Sequence, residues 1–148
     1  MDCESVLRRL VEGVEQRDAE AIAALYAEDA VVHHPLIPKV ASGREAIRAG
    51  QQEMFDAFSE VEVELLSVLA AENSCAAEVV LRATHTGPID IGNDEPLPPT
   101  RKRIEDHAVW LFEFADDGLI AEERDYFDTS AVMTQLGADF YIPASPEG

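Results

Sequence analysis

An α+β fold, with helices covering one face of a curved antiparallel sheet, is what this sequence predicts. Apolar residues recur at helical spacing up to about residue 58, and from residue 61 onward they alternate in runs rich in β-branched and aromatic residues. Asp116-Asp117-Gly118, lying between the last two alternating runs, is a strong hairpin turn signal. Helices first and strands afterwards is the pattern of a sheet with helices on one face. At 148 residues there is room for one domain, and a hydrophobic fraction of 47% supplies a packed core.

The elements follow in order. Val6, Leu7, Leu10, Val11 and Val14 mark a helix from Cys3 to about Gln16, with Asp2 or Ser5 as its cap. Asp18 caps a second, alanine-rich helix through Ile22, Leu25 and Tyr26. Residues 30–34 read as a strand ended by Pro35 and Pro38. Ser42 and Glu45 form a capping box for a third helix that runs to about Phe58. Four strands are then expected at 61–69, 74–86, 102–114 and 119–127. Residues 87–100 hold four prolines and two glycines, so they form a long loop, and a loop of that length in a compact domain is usually a rim or lid. Thr129 caps a last short helix that stops at Gly137.

The formal net charge of −19 argues against nucleic-acid and anionic-membrane partners, because both require clustered Lys and Arg. No apolar run approaches the roughly 20 residues of a membrane span, and the N-terminus lacks the apolar segment of a signal peptide, so a cytoplasmic protein is expected. Cys3 and Cys75 are far apart, one of them near a terminus, and are read as neither a metal knuckle nor a disulfide framework.

Several short motifs in this order resemble a known family. They are Leu25-Tyr26-Ala27-Glu28-Asp29-Ala30, then Gly43-Arg44-Glu45-Ala46-Ile47, then Thr84-His85-Thr86-Gly87. Gly118-Leu119-Ile120, Arg124-Asp125-Tyr126-Phe127-Asp128 and Gln135-Leu136-Gly137 complete the set. Together they resemble the SnoaL-like polyketide cyclases of the nuclear-transport-factor-2-like (cystatin-like) superfamily. The resemblance implies a cone-shaped barrel of a curved, mostly antiparallel sheet wrapped around N-terminal helices. It further implies one domain over 1–137 followed by a C-terminal tail at 138–148, a hydrophobic small-molecule substrate and a homodimer formed through the outer sheet face, where His107, Val109 and Leu111 would lie. The Arg-Asp-Tyr-Phe-Asp segment is also similar to limonene epoxide hydrolase. That family's arginine and second acid on a neighbouring strand best match Arg82 and Thr84, while its water-positioning Tyr and Asn fall at His33 and Pro35. A complete epoxide-hydrolase set is therefore absent.

Asp125 is the first catalytic candidate. It shares a strand face with Ala121, Glu123 and Phe127, and the resemblance turns that face into the cavity. Desolvation there would raise the pKa of the carboxyl and a nearby Arg82 would lower it, which suits proton transfer at neutral pH. A structural salt bridge is the plainer alternative for this pair. His33 is the third candidate, as a general acid or base; His33 and His34 point to opposite faces, so they cannot share a metal. His85 and His107 are expected to face away from the cavity. Asp106 and Trp110 share a face of the third alternating strand and offer a second acid and an aromatic wall. Tyr26, Phe55, Phe58 and Phe127 have core spacing, although in a hollow fold the core and the pocket wall can be the same residues. No phosphate loop, nucleophile triad or metal-spaced cluster is present, which leaves cofactor-independent acid–base chemistry: a cyclisation or isomerisation of a carbonyl-bearing substrate, a dehydration or epoxide opening with the same parts, or ligand binding alone.

Overall fold

The structure, a computed structural model, describes residues 2–90 and 94–137. Its elements are α1 (Cys3–Glu15), α2 (Ala19–Ala23), β1 (Tyr26–His34), β2 (Ile37–Ser42), α3 (Arg44–Ala57), β3 (Phe58–Ala70), β4 (Ser74–His85), β5 (Arg103–Phe114), β6 (Ile120–Phe127) and α4 (Thr129–Gln135). The six strands form one sheet in the order β2-β1-β6-β5-β4-β3. Only β1 and β6 run parallel; the other pairs are antiparallel. The sheet is curved but does not close, since β2 and β3 remain edges. Bulges in β3 at Ser59/Glu62 and Leu65/Ser67 mark where pairing breaks and the strand bends.

Local chemistry accounts for most element boundaries. Asp2 accepts from the Glu4 N–H to cap α1, and Asp18 accepts from the Ala21 N–H to cap α2. The buried face of α1, with Val6, Leu7, Leu10 and Val14, joins one core cluster with Ile22, Tyr26, Val79 and Phe112. Burying a side chain such as Leu7 is worth about 1.5–3 kcal/mol. Arg17 donates to the carbonyls of Phe55 and Phe58 and stacks on the Phe55 ring at 5.3 Å, occupying acceptors at the end of α3.

Four boundaries differ from the sequence reading. Helix α2 ends at Ala23, and Tyr26 opens β1 rather than closing a helix. A strand, β2, stands where Pro35 and Pro38 were read as the end of strand structure; Pro38 is accommodated because β2 is an edge strand. Helix α3 begins after Gly43, whose φ of +92° suits glycine, without a side-chain cap; Glu45 pairs with Arg48 instead of completing a capping box. The cap of α4 is Asp128, which accepts from the Ala131 N–H, rather than Thr129. The expected tail at 138–148 lies outside the described residues.

The cysteines also require correction. Cys3 and Cys75 form a disulfide between α1 and β4, 72 residues apart in sequence, with Cα atoms at 6.5 Å. Sequence distance said nothing about this proximity, which arises because α1 packs across the strands of the sheet and both residues lie in the same buried cluster. No described helix is long and apolar enough to cross a membrane.

Candidate active site

Strand register decides which side chains meet. Across β5 and β6, Phe112 faces Glu123, Trp110 faces Asp125 and Ala108 faces Phe127. Across β4 and β5, Val79 faces Ala108 and Leu81 faces Asp106. Across β1 and β6, Val32 pairs with Glu123 and His33 with Arg124, which puts His34 on the side of Asp125. These inward residues, with α3, α4 and the loop after β4, enclose a cavity of about 590 Å³. Its walls draw on both core clusters, including Phe55 from one and Phe58, Ile104 and Leu136 from the other, and the hollow lies between them.

The loop contributes Pro88, Ile89, Asp90 and Pro96 to the wall. It is anchored by paired backbone hydrogen bonds between Ile89 and Leu97, at 3.0 and 2.7 Å. At its start Gly87 lies so close to α3 that an added Cβ would sit 2.0 Å from the Asp56 carbonyl oxygen, so this approach requires glycine.

The polar end of the cavity is an assembly of acids. Glu123 is only 6% exposed, and its carboxylate accepts a short hydrogen bond from the hydroxyl of Tyr26, itself 1% exposed. Asp125 stands beside them, and its Oδ1 is buried with no hydrogen-bond partner among the described residues. Burial first, then the neighbouring Glu123 and Asp106, hold the Asp125 carboxyl well above the usual carboxylate range, which favours its protonated form. Asp106 is pushed up to about 6, mainly by burial, with His107 opposing and Asp128 adding to the rise. Burial and Glu123 also raise Tyr26, which stays protonated and donates.

His34 completes the assembly. Its ring meets Phe127 edge-on at 5.2 Å and its Nδ1 accepts the Leu36 N–H. Burial lowers it to about 4, against roughly 6.5 for a free imidazole. Folded His34 is thus neutral where the unfolded chain would be charged, between about pH 4 and 6.5, and stability rises with pH across that window. Asp106, with a raised value, gives the opposite slope between about pH 4 and 6. Comparing wild type with His34→Gln isolates the histidine: the wild type should lose up to about 3 kcal/mol relative to the variant on going from pH 7 to pH 4. Urea denaturation at both pH values measures this, and identical losses in the two proteins would refute it.

The sequence candidates are placed as follows. Asp125, Glu123, Asp106, Trp110, Phe127, Tyr26, Phe55 and Phe58 all line the cavity. Arg82 does not. It projects from the other face of the sheet, where it pairs with Glu64 and Glu105, each at 3.2 Å. Strand β4 is not a neighbour of β6, and Leu81, not Arg82, faces the same way as Asp106. Thr84 shares that outer face, accepting from Arg103 at 3.1 Å. The acid–arginine–acid arrangement of the epoxide-hydrolase resemblance is therefore not formed. His33 is exposed and outside the main cavity; its neighbour His34 occupies the cavity wall instead. His107 is exposed as expected, but His85 is fully buried on the inward face against Phe58, so its expected orientation is also reversed.

The family model for a SnoaL-like domain matches residues 7–123, the greater part of the chain. The chain belongs to the SnoaL-like family. Solved structures share this SnoaL-like fold. A Jannaschia sp. CCS1 protein described as a SnoaL-like polyketide cyclase superposes with a TM-score of 0.77 at 23% identity, over 93% of this chain and 92% of that one. A Catenulispora acidiphila protein of ketosteroid isomerase-like fold, in complex with trimethylamine, gives 0.74 at 17% identity over 90% and 93% of the two chains. An LEH-like epoxide hydrolase from M. tuberculosis gives 0.67 at 17% identity over 89% and 86%. No curated protein matches the sequence significantly.

Proposed function

We propose that this SnoaL-like chain is a cofactor-independent acid–base catalyst that moves a proton on an apolar, carbonyl-bearing small molecule. The supporting observation is the pairing, at the end of an apolar cavity, of Asp125, whose carboxyl is held well above the usual range, with a second acid, Asp106, whose pKa of about 6 lies near neutrality. A neutral carboxyl in an apolar site can donate a hydrogen bond to a carbonyl oxygen as negative charge develops there. Asp106, ionised above about pH 6, takes the proton from the carbon next to that carbonyl. Returning it to another carbon isomerises a double bond, whereas attack of the enol on a second carbonyl closes a ring. Tyr26 and Glu123 brace Asp125, and Trp110, Phe127, Phe55 and Phe58 form the apolar wall against the substrate body.

The reading can be tested without the natural substrate. Incorporation of deuterium from D2O into the α-carbon of β-tetralone, followed by NMR, should run faster with the protein than in buffer and should accelerate as pH rises through about 6. Binding of β-tetralone with no exchange above buffer would make the chain a ligand-binding module and overturn the catalytic reading.

We also propose that two copies pair through the outer sheet face, where Val109 and Tyr126 stand opposite one another and are 39% and 55% exposed. Sedimentation should give twice the 16.2 kDa chain mass; a monomer at micromolar concentration would refute the dimer.

A further inference from the structure

The cavity is apolar in area but one-sided in charge. Among the described residues six carboxyl groups line it: Glu53, Asp56, Asp90, Asp106, Glu123 and Asp125. Among the described residues no lysine or arginine does so. The nearby guanidiniums are engaged elsewhere, Arg17 on the Phe55 and Phe58 carbonyls, Arg44 on the Tyr26 carbonyl, and Arg82, Arg103 and Arg124 on outer-face acids. Glu53, Asp56 and Asp90 are exposed, whereas Glu123 and the Oδ1 of Asp125 are buried. Asp125 lines the hollow, and its Oδ1 is buried with no donor among the described residues; a buried acceptor left unpaired is costly.

From this cavity we infer that the ligand is an apolar molecule carrying a positively charged nitrogen, whose N–H supplies the donor that Asp125 Oδ1 lacks. The inference deepens the catalytic reading by naming the substrate class, and it rests on that reading only in taking the cavity as the ligand site. An anionic ligand would meet like charge at both the rim and the depth. A cation close to Asp125 also draws its raised pKa toward neutrality, where a carboxyl is most effective as a proton donor. The aromatic side chains of Trp110 and Phe127 in the same wall can add cation–π attraction.

The groups that set the pH response around Asp125 are Glu123 on β6, Tyr26 and His34 on β1, Asp106 with its neighbour His107 on β5, and Asp128 at the start of α4. Protonating Asp106 removes part of the attraction, so cation affinity should weaken as pH falls through about 6.

Isothermal titration of the full chain with adamantylmethylamine, adamantylmethanol and adamantanecarboxylate tests the inference, because the three share one body and differ in charge. Near neutral pH the amine should bind at least roughly tenfold more tightly than the alcohol, with no measurable binding of the carboxylate. The amine's advantage should shrink at about pH 5 and in Asp106→Asn; if that variant does not fold, the wild-type pH series and the amine-to-alcohol ratio carry the test. Equal or tighter binding of the alcohol overturns the inference and leaves the apolar cavity as a ligand site. Failure of both to bind overturns the inference together with the ligand-site reading. Amine binding by a protein that exchanges no β-tetralone protons upholds the inference and removes the catalytic reading alone.

Discussion

Asp125→Asn should lower the rate of proton exchange, or of turnover of the natural substrate, at least roughly a hundredfold, the low end for removal of a positioned acid or base. The replacement keeps the shape of the side chain and removes only its ability to give and take a proton. It should not harm the fold. Burial, Glu123 and Asp106 all disfavour a charged Asp125, so a neutral amide in its place removes the cost of ionising that site and breaks no favourable ion pair. The expected outcome is therefore an inactive protein whose melting temperature is unchanged or higher, a combination common where activity demands a destabilised site. Arg82→Ala serves as the control: on the outer face, held by two partly exposed ion pairs, it should leave exchange within about twofold of wild type, since such pairs contribute little. Near wild-type exchange in Asp125→Asn would remove the assigned role, and a large loss in Arg82→Ala would contradict the placement of that side chain.

The second large effect concerns stability. Removing the Cys3–Cys75 bond, by Cys75→Ser or by full reduction, releases a 72-residue loop in the unfolded chain and should cost about 4 kcal/mol on the loop-entropy estimate. For a domain of this size that corresponds to a drop of roughly 10 °C in melting temperature. Calorimetry of wild type and of the double variant Cys3→Ser/Cys75→Ser, each with and without reductant, is the direct measurement; both cysteines are buried, so reduction must be carried out under conditions that expose them. A wild type that melts at the same temperature as the double variant would show that the bond contributes nothing. Since α1 carries Leu10 and Val14 into the cavity wall, loosening this helix should also weaken ligand binding.

Most of the architecture was legible before any coordinates. Hydrophobic periodicity placed α1, α3 and the four long strands to within a few residues, because each of these elements buries one face and the period of that burial is written in the chain. The Asp116-Asp117-Gly118 turn and the halt at Gly137 were equally local, and both glycines adopt positive φ, at 84° and 71°. What local pattern missed was β2, where two prolines argued against a strand that an edge position tolerates, and Tyr26, which continued an apolar helical run but begins β1.

The candidate site divides along the same line. Alternation within a single strand, read from the sequence alone, grouped Glu123, Asp125 and Phe127, and Asp106 with Trp110, and all five face the hollow. How one strand is aligned with the next was decided only by tertiary structure, because a shift of one residue between strands reverses every side chain at no local penalty. Register therefore sent Arg82 and Thr84 outward, exchanged His33 for His34, and brought Tyr26 onto Glu123 across 97 positions of sequence. Packing likewise joined two cysteines that nothing in their neighbouring residues connects, since the meeting of α1 with β4 depends on the whole core closing around them.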